Sequence, residues 1–149
     1  MARMIFVNLP TGDLPKATAF YRALGASQDD RFSDGTGSCM VFSEAIFVML
    51  LTHDKFRQFT PKKIADARAS SEVLLCLSAD DRKSVDAMVD AAAKAGGKAD
   101  PTPQQDYGFM YGRSFEDPDG HIWEIMWMDV EKALAGSTNM ASATAAHRQ

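Results

Sequence analysis

Cysteine, histidine and excess positive charge are all scarce in this chain. Only Cys39 and Cys76 occur among the 149 residues, too few for a disulfide framework. Both fall in apolar, strand-like runs, where a buried reduced thiol behaves as a small hydrophobe. The histidines are His53, His121 and His147. Neither His53 nor His121 has a second histidine beside it at metal-ligand spacing, so both are expected to be exposed at strand ends. Sixteen Lys plus Arg against twenty Asp plus Glu give a net charge of −4, which excludes the basic footprint of a nucleic-acid binder. No apolar run approaches the roughly 20 residues needed to span a bilayer. The N-terminus enters a short apolar run at once, without the long apolar stretch and cleavage site of a signal peptide. A cytoplasmic protein without membrane or nucleic-acid partners is expected.

What is present fits one folded domain: the chain is 46% apolar and 24% charged, close to globular averages. Residues 4–9 form a strand candidate that Pro10 and Gly12 break. Asp13 is a good N-cap, Pro15 is tolerated in the first turn, and Leu14, Ala17, Tyr21 and Leu24 recur at helical spacing before Gly25. Strands are expected over about 27–33, 38–43 and 45–51, with Asp34-Gly35 and Ser43-Glu44 at the turns. This half reads βαβββ.

A polar segment from 52 to 71 follows, carrying Lys55, Arg57, Lys62, Lys63 and Arg68 around Pro61. It reads as a crossover linker whose cations could meet an anionic ligand or simply be solvated. The first pattern then recurs. Residues 72–78 form a strand, and Asp80 or Asp81 caps a helix bearing Val85, Met88, Val89 and Ala92 up to Gly96. A hairpin pairs 109–116 with 121–128 around Asp117-Pro118-Asp119-Gly120, the residues that turn geometry selects. The reading is one domain over 1–130: a first module (4–52), a linker (53–71) and a second module (72–129), which suggests a duplicated unit. The small, polar tail over 131–149 is expected to fray or stay disordered.

Asp13-Leu14 with Phe20-Tyr21 in the first helix, and Asp117-Pro118-Asp119-Gly120 followed by Glu124, resemble in order and spacing the vicinal-oxygen-chelate superfamily of glyoxalases, bleomycin-resistance proteins and extradiol dioxygenases. The resemblance covers residues 4–129. It implies an α+β fold of two βαβββ modules forming an incomplete barrel, and frequent homodimers that pair modules across chains. It also implies a divalent metal held by side chains of the first, fourth, fifth and eighth strands. Carried over one at a time, these positions fall on Phe6, Val48 (Phe47 or Met49 with a slip of one residue), Leu74 and Glu124. Phe, Val and Leu cannot ligate, and one carboxylate cannot furnish a shell for a hard or borderline metal. No metal and no cofactor are therefore expected.

Strand alternation puts Glu124 on a face with Ile122, Met126 and Met128, opposite His121, Trp123, Ile125 and Trp127. A carboxylate among apolar neighbours needs a donor, for which Arg113, Tyr111 and Asn8 stand nearest in pattern; otherwise it takes up a proton. Arg113 could grip a ligand carboxylate or phosphate, or pair with Glu116 or Asp117 at the surface. The methionines concentrate in strand candidates, as core filling or as the lining of an apolar pocket. The leading expectation is a homodimer that binds an apolar or aromatic small molecule, for sequestration or metal-independent proton transfer. Glu124 serves as polar anchor or base, and Phe6, Asn8, Val48, Leu74, Tyr111, Arg113 and Met126 line the site. The alternative is a divalent-metal-dependent lyase or isomerase resembling glyoxalase I, or a dioxygenase-like enzyme, recruiting Glu124 with His121 or His53.

Overall fold

A computed structural model describes residues 2–135. The first module runs β1 (Ile5–Thr11), α1 (Leu14–Ala23), β2 (Ser27–Gln28), a 3-10 turn (Asp30–Phe32), β3 (Gly37–Val41) and β4 (Ile46–Thr52). A short helix, α2 (His53–Arg57), opens the linker. The second module runs β5 (Leu75–Ser78), α3 (Arg82–Lys94), β6 (Lys98–Ala99), β7 (Gln105–Asp106), β8 (Met110–Glu116) and β9 (Ile122–Met128). A last helix starts at residue 130; the remainder of the 131–149 tail, from residue 136, lies outside the described residues.

Each module forms its own sheet, in the order β1-β4-β3-β2 and β5-β9-β8-β6, with β7 also on β8. β1 runs parallel to β4 and β5 parallel to β9, while the other pairs are antiparallel. The internal repeat read from sequence is thus a repeat of topology. Two strands are shorter than expected. The 27–33 candidate pairs only at Ser27 and Gln28 before Asp29 caps the 3-10 turn, and the 72–78 candidate pairs from Leu75 onward.

The caps act as their residue types dictate. Asp13 accepts the Lys16 amide and Asp81, rather than Asp80, accepts the Ser84 amide, each satisfying one orphan donor of a helix start. Both helices then lay their apolar stripes on one side of the sheets. Ala17, Phe20 and Tyr21 of α1 share one core with Val85, Val89 and Ala92 of α3, Leu9, Val48 and Leu50 of the first sheet, and Phe115, Trp123 and Ile125 of the second. This common core joins the modules, and it leaves the opposite face of each sheet uncovered by α1 and α3. No helix among the described residues is long and apolar enough to cross a membrane.

Candidate functional site

The candidate residues lie on the sheet faces turned away from α1 and α3, and register decides which side chains reach them. In the first sheet Phe6 lies beside Phe47 and Asn8 beside Met49, with the two phenyl rings stacked at 4.6 Å. Phe6 and Asn8 are exposed, and the Asn8 side-chain amide donates to the Phe6 carbonyl at 3.5 Å. Val48 alternates to the other face and is fully buried in the core. The fourth-strand residues that share a face with Phe6 and Asn8 are therefore Phe47 and Met49.

In the second sheet Glu124 lies between Cys76 on β5 and Ser114 on β8, with Met126 beside Gly112. Leu74 precedes β5 and is half exposed, so Cys76 is the fifth-strand residue that meets Glu124 across the ladder. Sequence reading passed over Cys76 because it treated both cysteines as buried. Cys39 is buried, but Cys76 is exposed.

Glu124 does not meet the donors expected for it. Arg113 pairs with Ile125 in the register, and Tyr111 with Trp127, so both face α3 and point away from Glu124. Nor does Arg113 reach Glu116 or Asp117. Its guanidinium forks onto Asp100 at 2.7 and 3.1 Å and donates to Asp86 at 2.9 Å, while the Tyr111 hydroxyl donates to the same Asp86 carboxylate at 2.7 Å. These bonds hold the Asp86 carboxyl below the usual carboxylate range, Tyr111 contributing most. Asp100 reaches Arg113 from a left-handed backbone, with φ at 53°, a conformation aspartate tolerates better than most residues.

Among the described residues Glu124 makes no hydrogen bond or ion pair. Ser114, beside it, is fully buried and bonded to Thr102. The carboxylate edges a recess of about 50 Å³ lined by Cys76, Thr102, Gln105, Met110, Gly112 and Met126. Partial desolvation of the sulfur, and then Glu124, push the Cys76 thiol up although the residue is exposed overall. No residue of the first sheet lines this recess, and of the side chains that do, Glu124 and Cys76 carry the groups that usually ligate metals.

A second acidic group forms at the hairpin turn, where ligand atoms of Asp117, Asp119 and His121 lie within 4.8 Å of one another. Each of the three already carries a hydrogen bond within the protein. Asp117 accepts the amides of Asp119 and His121 and the Tyr21 hydroxyl, and Asp119 accepts the Gly12 amide. His121 is half-buried rather than exposed, because its Nε2 meets the Pro10 carbonyl at 2.9 Å. It faces away from Glu124, and His53 opens α2 at the surface. Neither histidine joins Glu124. The turn instead stitches the second module to the first.

Comparison with known proteins agrees with this architecture. A family model described as the Glyoxalase/Bleomycin resistance protein/Dioxygenase superfamily matches residues 3–125. Among solved structures, a hypothetical protein of S. aureus (SA1046) superposes with a TM-score of 0.70 at 24% identity, over 85% of this chain and 94% of that one. A glyoxalase/bleomycin resistance protein/dioxygenase family enzyme of Burkholderia phytofirmans gives 0.68 at 20% identity, over 85% and 99%. The fosfomycin resistance protein FosX of Listeria monocytogenes gives 0.62 at 16% identity, over 85% and 91%. No curated protein matches the chain.

Proposed function

Since the chain belongs to the glyoxalase/bleomycin resistance/dioxygenase superfamily, we propose that it binds an apolar or aromatic small molecule on the sheet faces turned away from α1 and α3 without a divalent metal, with Glu124 as the polar anchor. The observation that carries this reading is the unpartnered carboxylate. A partly buried Glu124 with no protein donor is completed by a ligand that brings one. Gly112 offers no side chain above Met126, and Cys76, Met110 and Met126 supply soft apolar lining that adapts to a ring.

A recess of about 50 Å³ is far below the few hundred Å³ that small-molecule sites enclose. A cover is needed, and a second copy of the chain is the proposed one. Ile5 and Phe6 of the first sheet and Val73 and Leu74 before β5 are each about half exposed, apolar surface that dimerisation would remove from water. Light scattering at micromolar concentration tests this element of the reading; a monomer counts against it.

The ligand reading is tested by screening aromatic compounds that carry a hydrogen-bond donor, by NMR on the full chain. Hits are expected to shift the amides around Cys76, Gly112 and Glu124, and Glu124→Gln is expected to weaken them about tenfold, the weight of one charge-assisted bond. Gly112→Val supplies the control. A Cβ there meets only the Ile125 carbonyl at 3.7 Å, an ordinary contact, so the variant folds while its side chain fills the site and abolishes binding. Hits indifferent to both changes overturn the proposal. Whether binding serves sequestration or proton transfer then turns on finding turnover that Glu124→Gln removes.

A further inference from the structure

A cavity of about 720 Å³ lies under the linker and shares no lining residue with the recess at Glu124. Its floor is the end of β1 (Pro10, Gly12) and the hairpin turn (Asp119, His121); its roof is the segment from Thr60 to Arg68, with His53 and Arg57 at one side. These walls are fastened together. The Arg68 guanidinium donates to the Pro118 carbonyl, the Gly12 amide to Asp119, and His121 Nε2 meets the Pro10 carbonyl. Gly120 has φ at +96°, and a Cβ there would stand 2.8 Å from the Arg68 backbone nitrogen. The linker is packed against the turn so closely that only glycine fits, and the cavity beneath it is preformed.

The charge of this cavity runs against that of the protein. In a chain of net charge −4, Arg57, Lys62, Lys63 and Arg68 line it against two carboxylates, Asp66 and Asp119. Both carboxylates already accept backbone amides, from Arg68 and Gly12. Arg57 pairs with Asp54 outside the cavity. Among the described residues the Lys62 and Lys63 side chains and the His53 ring have no hydrogen bond or ion pair, while Pro10, Pro61 and Ile64 supply apolar surface beside them. A concave site lined by uncommitted cations beside an apolar wall is matched by an organic anion.

We propose that the linker cavity binds a small organic anion, its phosphate or carboxylate head on Lys62 and Lys63 and its apolar body against Pro10, Pro61 and Ile64. This site is independent of the reading of Glu124. Its test is an NMR titration of the full-length chain with phenyl phosphate, benzoate and neutral benzyl alcohol, at fixed ionic strength because such contacts are screened. Either anion is expected to shift the amides of residues 60–68 saturably, the tighter one naming the head group, and benzyl alcohol is expected to leave them still. The double substitution Lys62→Ala, Lys63→Ala, at two exposed positions, is expected to weaken the anion about tenfold without shifting the melting curve. No saturable shift at the linker with either anion overturns the proposal, as do equal shifts with benzyl alcohol or affinity unchanged in the double variant.

Discussion

The hydroxyl of Tyr21, on the helix of the first module, donates to the carboxylate of Asp117 in the hairpin turn of the second at 2.7 Å. The same oxygen accepts the Trp123 indole N–H at 2.9 Å, and Tyr21, Asp117 and Trp123 are all buried. Burial, and then Asp117, hold the phenol well above its ordinary range, so it remains a donor at any physiological pH. This bond ties together the two ends of the chain that carry the family signature, and it is the polar counterpart of their shared core.

Tyr21→Phe keeps the ring contacts with Phe20 and Trp123 but strands a buried carboxylate oxygen and an indole N–H. An unmade bond at each buried group costs about 1–3 kcal/mol. Chemical denaturation is expected to show a loss of that order in unfolding free energy with an unchanged denaturant slope, as for a variant that alters stability without altering compactness.

Burial raises Asp117 above its ordinary carboxyl value of 3.8, with the His121 charge and the Tyr21 bond opposing. The folded protein therefore holds this proton at pH values where the unfolded chain has released it. Stability from this group is intact below 3.8 and declines as pH rises through the raised folded value. Comparing unfolding free energies of the protein and Asp117→Asn between pH 3 and 7 isolates the effect: the gap between them is expected to shift in favour of the asparagine variant as pH rises. A constant gap would contradict it.

Asp100 supplies both a left-handed turn and two bonds to Arg113, whose side chain is only 12% exposed. Asp100→Ala loses the two bonds and places in the left-handed backbone a residue that tolerates it less well than aspartate, where a Cβ costs about 1–2 kcal/mol. Asp100→Gly relieves the backbone and loses only the ion pair, so its melting temperature is expected between those of Asp100→Ala and the unaltered protein. If both variants melt alike, the backbone conformation carries no cost.

Periodicity and caps made most of the fold legible: α1 and α3, the β8–β9 hairpin and the repeat of modules all stand where apolar spacing, Asp caps and closing glycines put them. They are local features, set by residues within a few positions of one another. The same alternation assigned Glu124 and Met126 to one face of β9 and Trp123 and Ile125 to the other. Alternation within a strand, however, says nothing of which neighbour stands opposite. Pairing Cys76 with Glu124, sending Arg113 and Tyr111 to Asp86, and turning Val48 into the core while Phe47 stacks on Phe6 are matters of register between strands distant in sequence.

The amino-acid sequence by itself determined the class of fold and the family, because those follow from residue types and their spacing. Only the tertiary structure decided that Glu124 has no partner and that the cations of the linker close over a cavity. The first follows from the register between β5, β8 and β9, and the second from a turn fastened through Gly12, Asp119 and Gly120 to segments distant in sequence, meetings that no local pattern encodes.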